Sequence, residues 1–368
     1  MTETLVRPSR PAALVWGYNN AGGLGLGHTA RVYRPARAQL PGGTVAVQGG
    51  GDFTMARTSS GELHACGGNT YGQLGDGSTK TRLSWVRASL PDGTVVTSVQ
   101  AGIDHVLATT AEGEVYAWGR NHRGQVGSGV PEHQLTPVRV IDGAVTGLGA
   151  GRGTSAAVTR EGQLLTWGRN GANQTSLGVT GDITVPTPRD LPDGTEATAA
   201  DAGSQHLAAL TRAGAVLTFG ARPAGRPLPA EVPLDRAWGP VLAVRASNDF
   251  TLALTGRGLL LAWGGNAAGQ LGQGDQQDRA APAEVLFPPD AGPVTGCWAG
   301  DHSAAAVTGG GHVYTWGATR WGQGGRRQAA GPQTRPTRVA LPDGPRPAAV
   351  TGGADHVIVT FANAENGQ

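Results

Sequence analysis

One phrase is written seven times in this 368-residue chain: a short alternating strand, a Trp-Gly stop, then a glycine-punctuated loop. Its clearest copy runs from Gly113 to Gly127. The stop recurs as Trp16-Gly17, Trp118-Gly119, Trp167-Gly168, Trp263-Gly264 and Trp316-Gly317, with Cys66-Gly67 and Phe219-Gly220 in two degenerate copies. Successive copies are about 44 to 53 residues apart, the period of solenoids and propellers. A chain built this way folds as an array of like units, whatever number of domains its length would allow.

One copy resolves into four short strands. Within 95–141, strand-forming runs rich in Val, Leu, Ala and Thr are bounded by Gly102-Ile103-Asp104, Ala111-Glu112-Gly113 and the loop from Gly119 to Gly129. No stretch sustains a helical period. Four-stranded antiparallel units repeated radially make a β-propeller, with the first strand of each unit innermost around a channel. The expected fold is therefore all-β, a seven-bladed β-propeller with blades at 44–90, 95–141, 145–191, 196–234, 241–287 and 294–341. The remaining blade is split between 13–40 and 346–361, so that pairing the chain's two ends closes the ring and removes open sheet edges. Residues 1–12 form an N-terminal extension and 362–368 a tail. The connectors repeat too: Leu-Pro-Gly-Gly at 40 and Leu-Pro-Asp-Gly at 90, 191 and 341. Proline fixing φ before a glycine that accepts φ > 0 is a turn signal.

The phrase resembles the regulator of chromosome condensation repeat. The hallmarks are Ala-Gly-x-x-His, an alternating strand to Trp-Gly, and Asn-x-x-Gly-Gln-Leu-Gly. They stand here as Ala101-Gly102 with His105, as Asn69 with Gly72-Gln73-Leu74-Gly75, and as Asn266 with Gly269-Gln270-Leu271-Gly272. The resemblance covers residues 13–361. It implies a protein-binding propeller, since the founding member exchanges nucleotide on a small GTPase and docks on chromatin, and a secreted relative inhibits β-lactamases. The copies depart from the pattern in three places. The segment from Gly220 to Pro229 keeps little of the loop motif, Ala318-Thr319-Arg320-Trp321 displaces the usual Asn, and Ala172-Asn173-Gln174 stands where Gly-Gln-Leu-Gly would end the loop.

Composition narrows the function. A formal charge of +2, with Lys80 the single lysine among 29 basic residues, argues against a nucleic-acid partner. The arginine bias points to a GC-rich, bacterial genome. Cys66 and Cys297 fall at different places in different copies, so reduced thiols and a cytoplasmic protein are expected. Met1 to Pro11 lacks the apolar stretch of a signal peptide, and no apolar run is long enough to span a membrane. No metal-ligand spacing and no cofactor motif is present, and a monomer is expected. The run from Gly22 to Gly27 lacks the helix that would make it a phosphate loop.

The repeat tryptophans read as filling between wedge-shaped blades. His105, His206, His302 and His356 are read at one repeat position that Phe53 and Phe250 also occupy, which makes it a packing position. The residue before it is read as Asp52, Asp104, Gly153, Gln205, Asp249, Asp301 and Asp355. Antiparallel order puts these inner turns on the same face as the outer loops after Trp-Gly. That face is expected to be acidic over five consecutive blades and basic over the two carrying Arg152, Arg169, Arg222 and Arg226. Tyr18, Asn19, Tyr71, His122, Arg123, Arg320 and Trp321 rim it, and Tyr, Trp and Arg are enriched at binding hot spots. The binding set is thus Tyr18, Asp52, Tyr71, Asp104, His122, Arg123, Arg152, Gln205, Asp249, Asp301, Arg320, Trp321 and Asp355, engaging a protein partner or a small molecule. The alternative is an enzyme, a lyase or cyclase of bacterial secondary metabolism, with Asp104, His105, Asp301, His302, Asp355 and His356 doing acid–base work at the channel mouth. The opposite face offers less chemistry apart from Trp238.

Overall fold

The computed structural model describes residues 12–175, 179, 181–220, 230–327 and 331–361. The expected extension and tail therefore lie outside the described residues except for Ala12, as do Arg222 and Arg226. Among the described residues are seven four-stranded antiparallel sheets arranged as propeller blades. The ring is closed by the split blade, blade 1. There β1 (Ala12–Gly17) and β2 (Val32–Gln39) join strands of residues 347–352 and 356–361 in one sheet. The closing register pairs Leu14 with Val359, Val15 with Ile358, Trp16 with Val357 and Gly17 with His356. Blades 2 to 7 follow in chain order, their strands lying within 44–87, 96–141, 145–189, 197–231, 241–284 and 294–338. In blade 2, β3 (Thr44–Gly49), β4 (Phe53–Thr58), β5 (Leu63–Gly67) and β6 (Arg82–Arg87) lie side by side from channel to rim. The outermost strand of blade 5 is reduced to Ala230–Glu231.

Each innermost strand carries a register irregularity one residue in from its start, as between Thr44 and Ala46 or Val294 and Gly296. A bulge at the same place in every blade adds local twist, which a narrow inner edge needs. The core is distributed: seven apolar clusters each draw on two adjacent blades, so the packing lies between sheets rather than at a common centre. Trp16, Trp118, Trp167 and Trp316 are among its largest fully buried side chains.

The glycine after each tryptophan is dictated by geometry. Gly119 has φ +99°, and a Cβ there would lie 2.5 Å from the Asp104 carbonyl oxygen. The equivalent glycines 17, 67, 168, 220, 264 and 317 all have φ between +91° and +112°. An L-residue with a side chain would be strained there as well as blocked.

Candidate functional site

The inner turns and outer loops do form one face. The residue after the Trp-Gly stop donates its backbone N–H to the inner turn of the same blade. Tyr18 bonds the carbonyl of Asp355, Gly68 that of Asp52, Arg120 that of Asp104, Arg169 that of Gly153, Gly265 that of Asp249 and Ala318 that of His302, at 2.7–2.9 Å. The outer loops brace themselves. The Asn69 side chain accepts from the Leu74 N–H at 2.9 Å and donates to the Ser78 carbonyl, while Gln73 accepts from the Tyr71 N–H at 2.9 Å. Asn19, Asn121, Asn170 and Asn266 repeat the first bond. The motif is a loop scaffold. In blade 4 Asn173 takes the place of the loop glycine at φ +57°, and Gln174 keeps the glutamine's bond, so this loop departs less than its sequence suggests. Asn tolerates that backbone better than most residues.

The histidines divide. His105 and His356 are each 1% exposed, and with His206 they reach the neighbouring blade. His105 Nε2 lies 2.9 Å from Ser155 Oγ, His206 Nε2 3.0 Å from Thr251 Oγ1, and His356 Nε2 3.3 Å from Thr54 Oγ1. Burial pushes all three down to about 4, so they are neutral blade-to-blade struts. His302 is different and corrects the expected alignment. Ser303 pairs with Gly317 as His105 pairs with Gly119, so Ser303 holds the strut position in blade 7 and His302 stands where the other blades place Asp52 or Asp104. His302 is exposed and Asp301 sits one position nearer the turn's start, level with Ile103 and Arg152. Two of the expected acid–base groups are committed elsewhere, His105 to Ser155 and His356 to Thr54 in the neighbouring blades, whereas exposed His302 lies near enough to Asp355 to favour its ionised form.

Asp104, Asp249, Asp301 and Asp355 have side-chain partners on the face. Asp104 pairs with Arg120 at 3.0 Å, Asp249 accepts from Gln270 at 3.3 Å and Asp355 from Gln323 at 3.0 Å. Asp301 is taken by Arg152, which reaches over the channel mouth from blade 4 to blade 7. The expected division into acidic and basic sectors is thereby altered, since its basic anchor neutralises one of its acids. Burial, then Asp301, pushes the Asp355 carboxyl up to about 6, and burial, Asp104 and Asp301 raise Asp52. Gln205 is exposed and Arg123 pairs with Asp182 at 3.2 Å.

Two aromatic–arginine clusters mark the rim. Trp321, expected on the exposed rim, is half-buried with Arg31 4.4 Å and Arg320 4.7 Å from its ring centre and Tyr18 edge-on at 5.4 Å. The outer loops that supply them, 18–31 and 318–332, contain no carboxylate. Tyr71 packs edge-on against His133 at 5.1 Å under Arg120 at 4.7 Å. Arg120 also donates to His122 at 3.0 Å, and burial, Arg120 and Arg123 lower that imidazole.

The channel was expected from the sequence, but the residues at its waist were not. The fifth residue of each innermost strand rings its waist: Gln48, Gln100, Gly149, Asp201, Arg245, Trp298 and Thr351. The signal was available by reading that one position down the seven copies. Among the described residues no group of three or more His, Cys, Asp or Glu is placed to hold a metal, and no helix is long and apolar enough to cross a membrane.

The regulator of chromosome condensation (RCC1) repeat model matches residues 12–57, 60–109, 112–158, 257–307 and 310–360, and a second model of that repeat matches 45–73 and 96–125. The ultraviolet-B receptor UVR8 of Arabidopsis thaliana is 32% identical over 326 residues, covering 84% of this chain and 73% of the receptor. A secretion-regulating guanine nucleotide exchange factor of Bos taurus is 33% identical over 107 residues, and the chain spans only 23% of it. Among solved structures, human WBSCR16 superposes with a TM-score of 0.82 at 22% identity over 96% of this chain and 99% of that one. Prp20p of Saccharomyces cerevisiae, described with its binding to Gsp1p and histones, superposes with a TM-score of 0.81 at 20% identity over 97% and 93%.

Proposed function

This chain belongs to the regulator of chromosome condensation repeat family, and we propose that it is a binding propeller that docks a protein partner on its loop face. Relatives of this kind imply protein interaction. The observation that carries the reading to this face is the Trp321 cluster. An indole held between two guanidiniums and a tyrosine, on loops without a carboxylate, is a rigid amphipathic anchor of the type that dominates interfaces. The second cluster at Tyr71 gives the face a second point of attachment across blade 1. A reducing cytoplasm suits the chain, since Cys66 and Cys297 are both buried free thiols.

The test compares affinity capture from the native host by three baits: the wild-type chain, Trp321→Ala, and Trp238→Ala on the opposite face. A partner retained by Trp238→Ala and lost by Trp321→Ala supports the reading, provided both variants melt as single folded species. The reverse pattern moves the interface to the other face.

A further inference from the structure

The central channel encloses a cavity of about 290 Å³, near the lower end of the ~300–1,000 Å³ range of small-molecule pockets. Its wall is not the sevenfold repetition that the fold would supply. On blades 5, 6 and 7 a carboxylate, a guanidinium and an indole stand at one level, from Asp201, Arg245 and Trp298. On the opposite wall, a chain of hydrogen bonds runs from Thr351 to Gln48 at 2.6 Å and from Gln48 to Gln100 at 2.6 Å. Blade 4 contributes Gly149, whose missing side chain lets it pack directly on the backbone of Ala200 and Asp201.

The two charges are the informative pair. Arg245 is near enough to favour the ionised form of Asp201, yet its guanidinium donates to the Val244 carbonyl at 3.0 Å and makes no ion pair with Asp201. Asp201 accepts the backbone N–H of Ala202 at 2.9 Å on one oxygen and that of Ala246 at 3.0 Å on the other. Each oxygen keeps a free lone pair, and most of the five N–H donors of Arg245 remain unused. Opposite charges side by side on the channel wall, with Asp201 half-buried and Arg245 exposed to the channel, and not closed on each other, are arranged for a molecule that carries both. Trp298, 6% exposed, packs its indole against Gly300 and Gly352 and leaves only an edge on the cavity wall at the same level.

We propose that the channel waist is a binding site for a small zwitterion of the α-amino acid class, with its ammonium on Asp201, its carboxylate on Arg245, and its side chain toward Trp298 and the amides of Gln48 and Gln100. The ion pair between Arg152 and Asp301 spans the loop end of this cavity. Both side chains are partly solvated, so the pair is weak enough to open for entry. The site is separate from the rim cluster and does not depend on a protein partner.

Titration calorimetry of the full chain with each of the twenty proteinogenic L-amino acids tests this, followed by the decarboxylated amine of any that binds. At least one amino acid binds with Kd below about 1 mM, and its amine binds about tenfold or more weakly. Asp201→Asn and Arg245→Gln each weaken it by a similar factor, and Trp321→Ala leaves it unchanged. The side chain of Arg245 is exposed to the channel, so Arg245→Gln keeps the test valid should Asp201→Asn fail to fold. The proposal is overturned if none of the twenty binds, if the amine binds as tightly as the amino acid, or if Arg245→Gln binds like wild type.

Discussion

At the scale of single residues, the repeat tryptophan does two jobs. It fills the wedge between blades, and its Nε1–H satisfies a carbonyl of the preceding blade's loop. Trp16 donates to Gln323 at 2.9 Å, Trp118 to Gln73 at 3.0 Å, Trp167 to Gln125 at 2.9 Å and Trp316 to Gln270 at 2.8 Å. Blade 5 has Phe219 instead, which cannot donate, and blade 4 compensates. Where blades 2, 5, 6 and 7 carry Ala88, Val232, Val285 and Val339, blade 4 carries Arg189. Its guanidinium lies 4.7 Å over the Phe219 ring and donates to the Asn173 carbonyl at 3.2 Å. The substitution is imperfect: Arg189 is 6% exposed, its Nε and Nη1 are without partners, and burial lowers its guanidinium to about 10. Trp167→Ala, which loses both packing and the bond, is expected to cost about 3–5 kcal/mol, against about 1 kcal/mol or less for half-buried Trp321→Ala. Urea unfolding of the two variants separates these values, and equal losses would contradict the packing described. Arg189→Met should be neutral or stabilising by ~1 kcal/mol, because it removes an incompletely satisfied buried cation; a clear loss in the same measurement would show that the bond to Asn173 outweighs the burial.

At the scale of elements, the inner turns and strands carry titrating groups that oppose each other. His105, His206 and His356 sit at about 4 against an ordinary 6.5, so their contribution to stability is present above about pH 6.5 and lost as pH falls toward 4. Asp201 and Asp355 are raised to about 6 from 3.8, mainly by burial, so theirs is present below pH 3.8 and lost as pH rises through 6. Three histidines outweigh two carboxyls, so wild-type stability should fall as pH drops from 6.5 to 4, less steeply than the histidines alone would require. Asp201→Asn combined with Asp355→Asn removes the second contribution. Its urea midpoint should fall more steeply than wild type as pH drops through that window, and parallel curves would refute the assignment. The same turns show what the sequence could convey. Strand positions and the split blade were legible because Trp-Gly fixes phase and antiparallel pairing fixes the rest. Blade 7 misled because Asp301-His302 reproduces the Asp-His of Asp104-His105 one residue early, and only the pairing of Ser303 with Gly317 reveals the shift. The channel ring is legible only by reading one strand position down the seven copies, since apart from Gln48 and Gln100 its members share that position but no residue type. Of the Trp321 cluster, Tyr18, Arg320 and Trp321 were legible as rim residues but Arg31 was not, because it reaches them through ring closure rather than sequence proximity.

At the scale of the whole molecule, stability depends on closure, because each apolar cluster belongs to two blades and none is complete in one. Ending the chain at Arg346 removes both C-terminal strands of blade 1. It uncovers Leu14 and Trp16, leaves the first strand's edge unpaired, and should give an aggregating protein. A circular permutant separates closure from composition. Joining the original ends and opening the connector between Pro41 and Gly42 keeps every residue and makes all seven blades continuous. The ring is then held at the junction of blades 1 and 2 without strand pairing, by Val47 and Trp85 of blade 2 packed against the blade 1 cluster of Ala13, Val15, Leu24, Ala38, Leu40 and Ile358, and by side-chain bonds such as Thr54–His356 and Thr351–Gln48. In the native order, opening the ring means breaking the ladder from Leu14–Val359 to Gly17–His356 inside a sheet. The permutant should therefore elute as a compact monomer with the native circular dichroism spectrum, yet melt at a lower temperature than the wild type. A permutant that melts at or above the wild-type temperature would show that packing between blades, rather than strand pairing within the split one, is what keeps this ring shut.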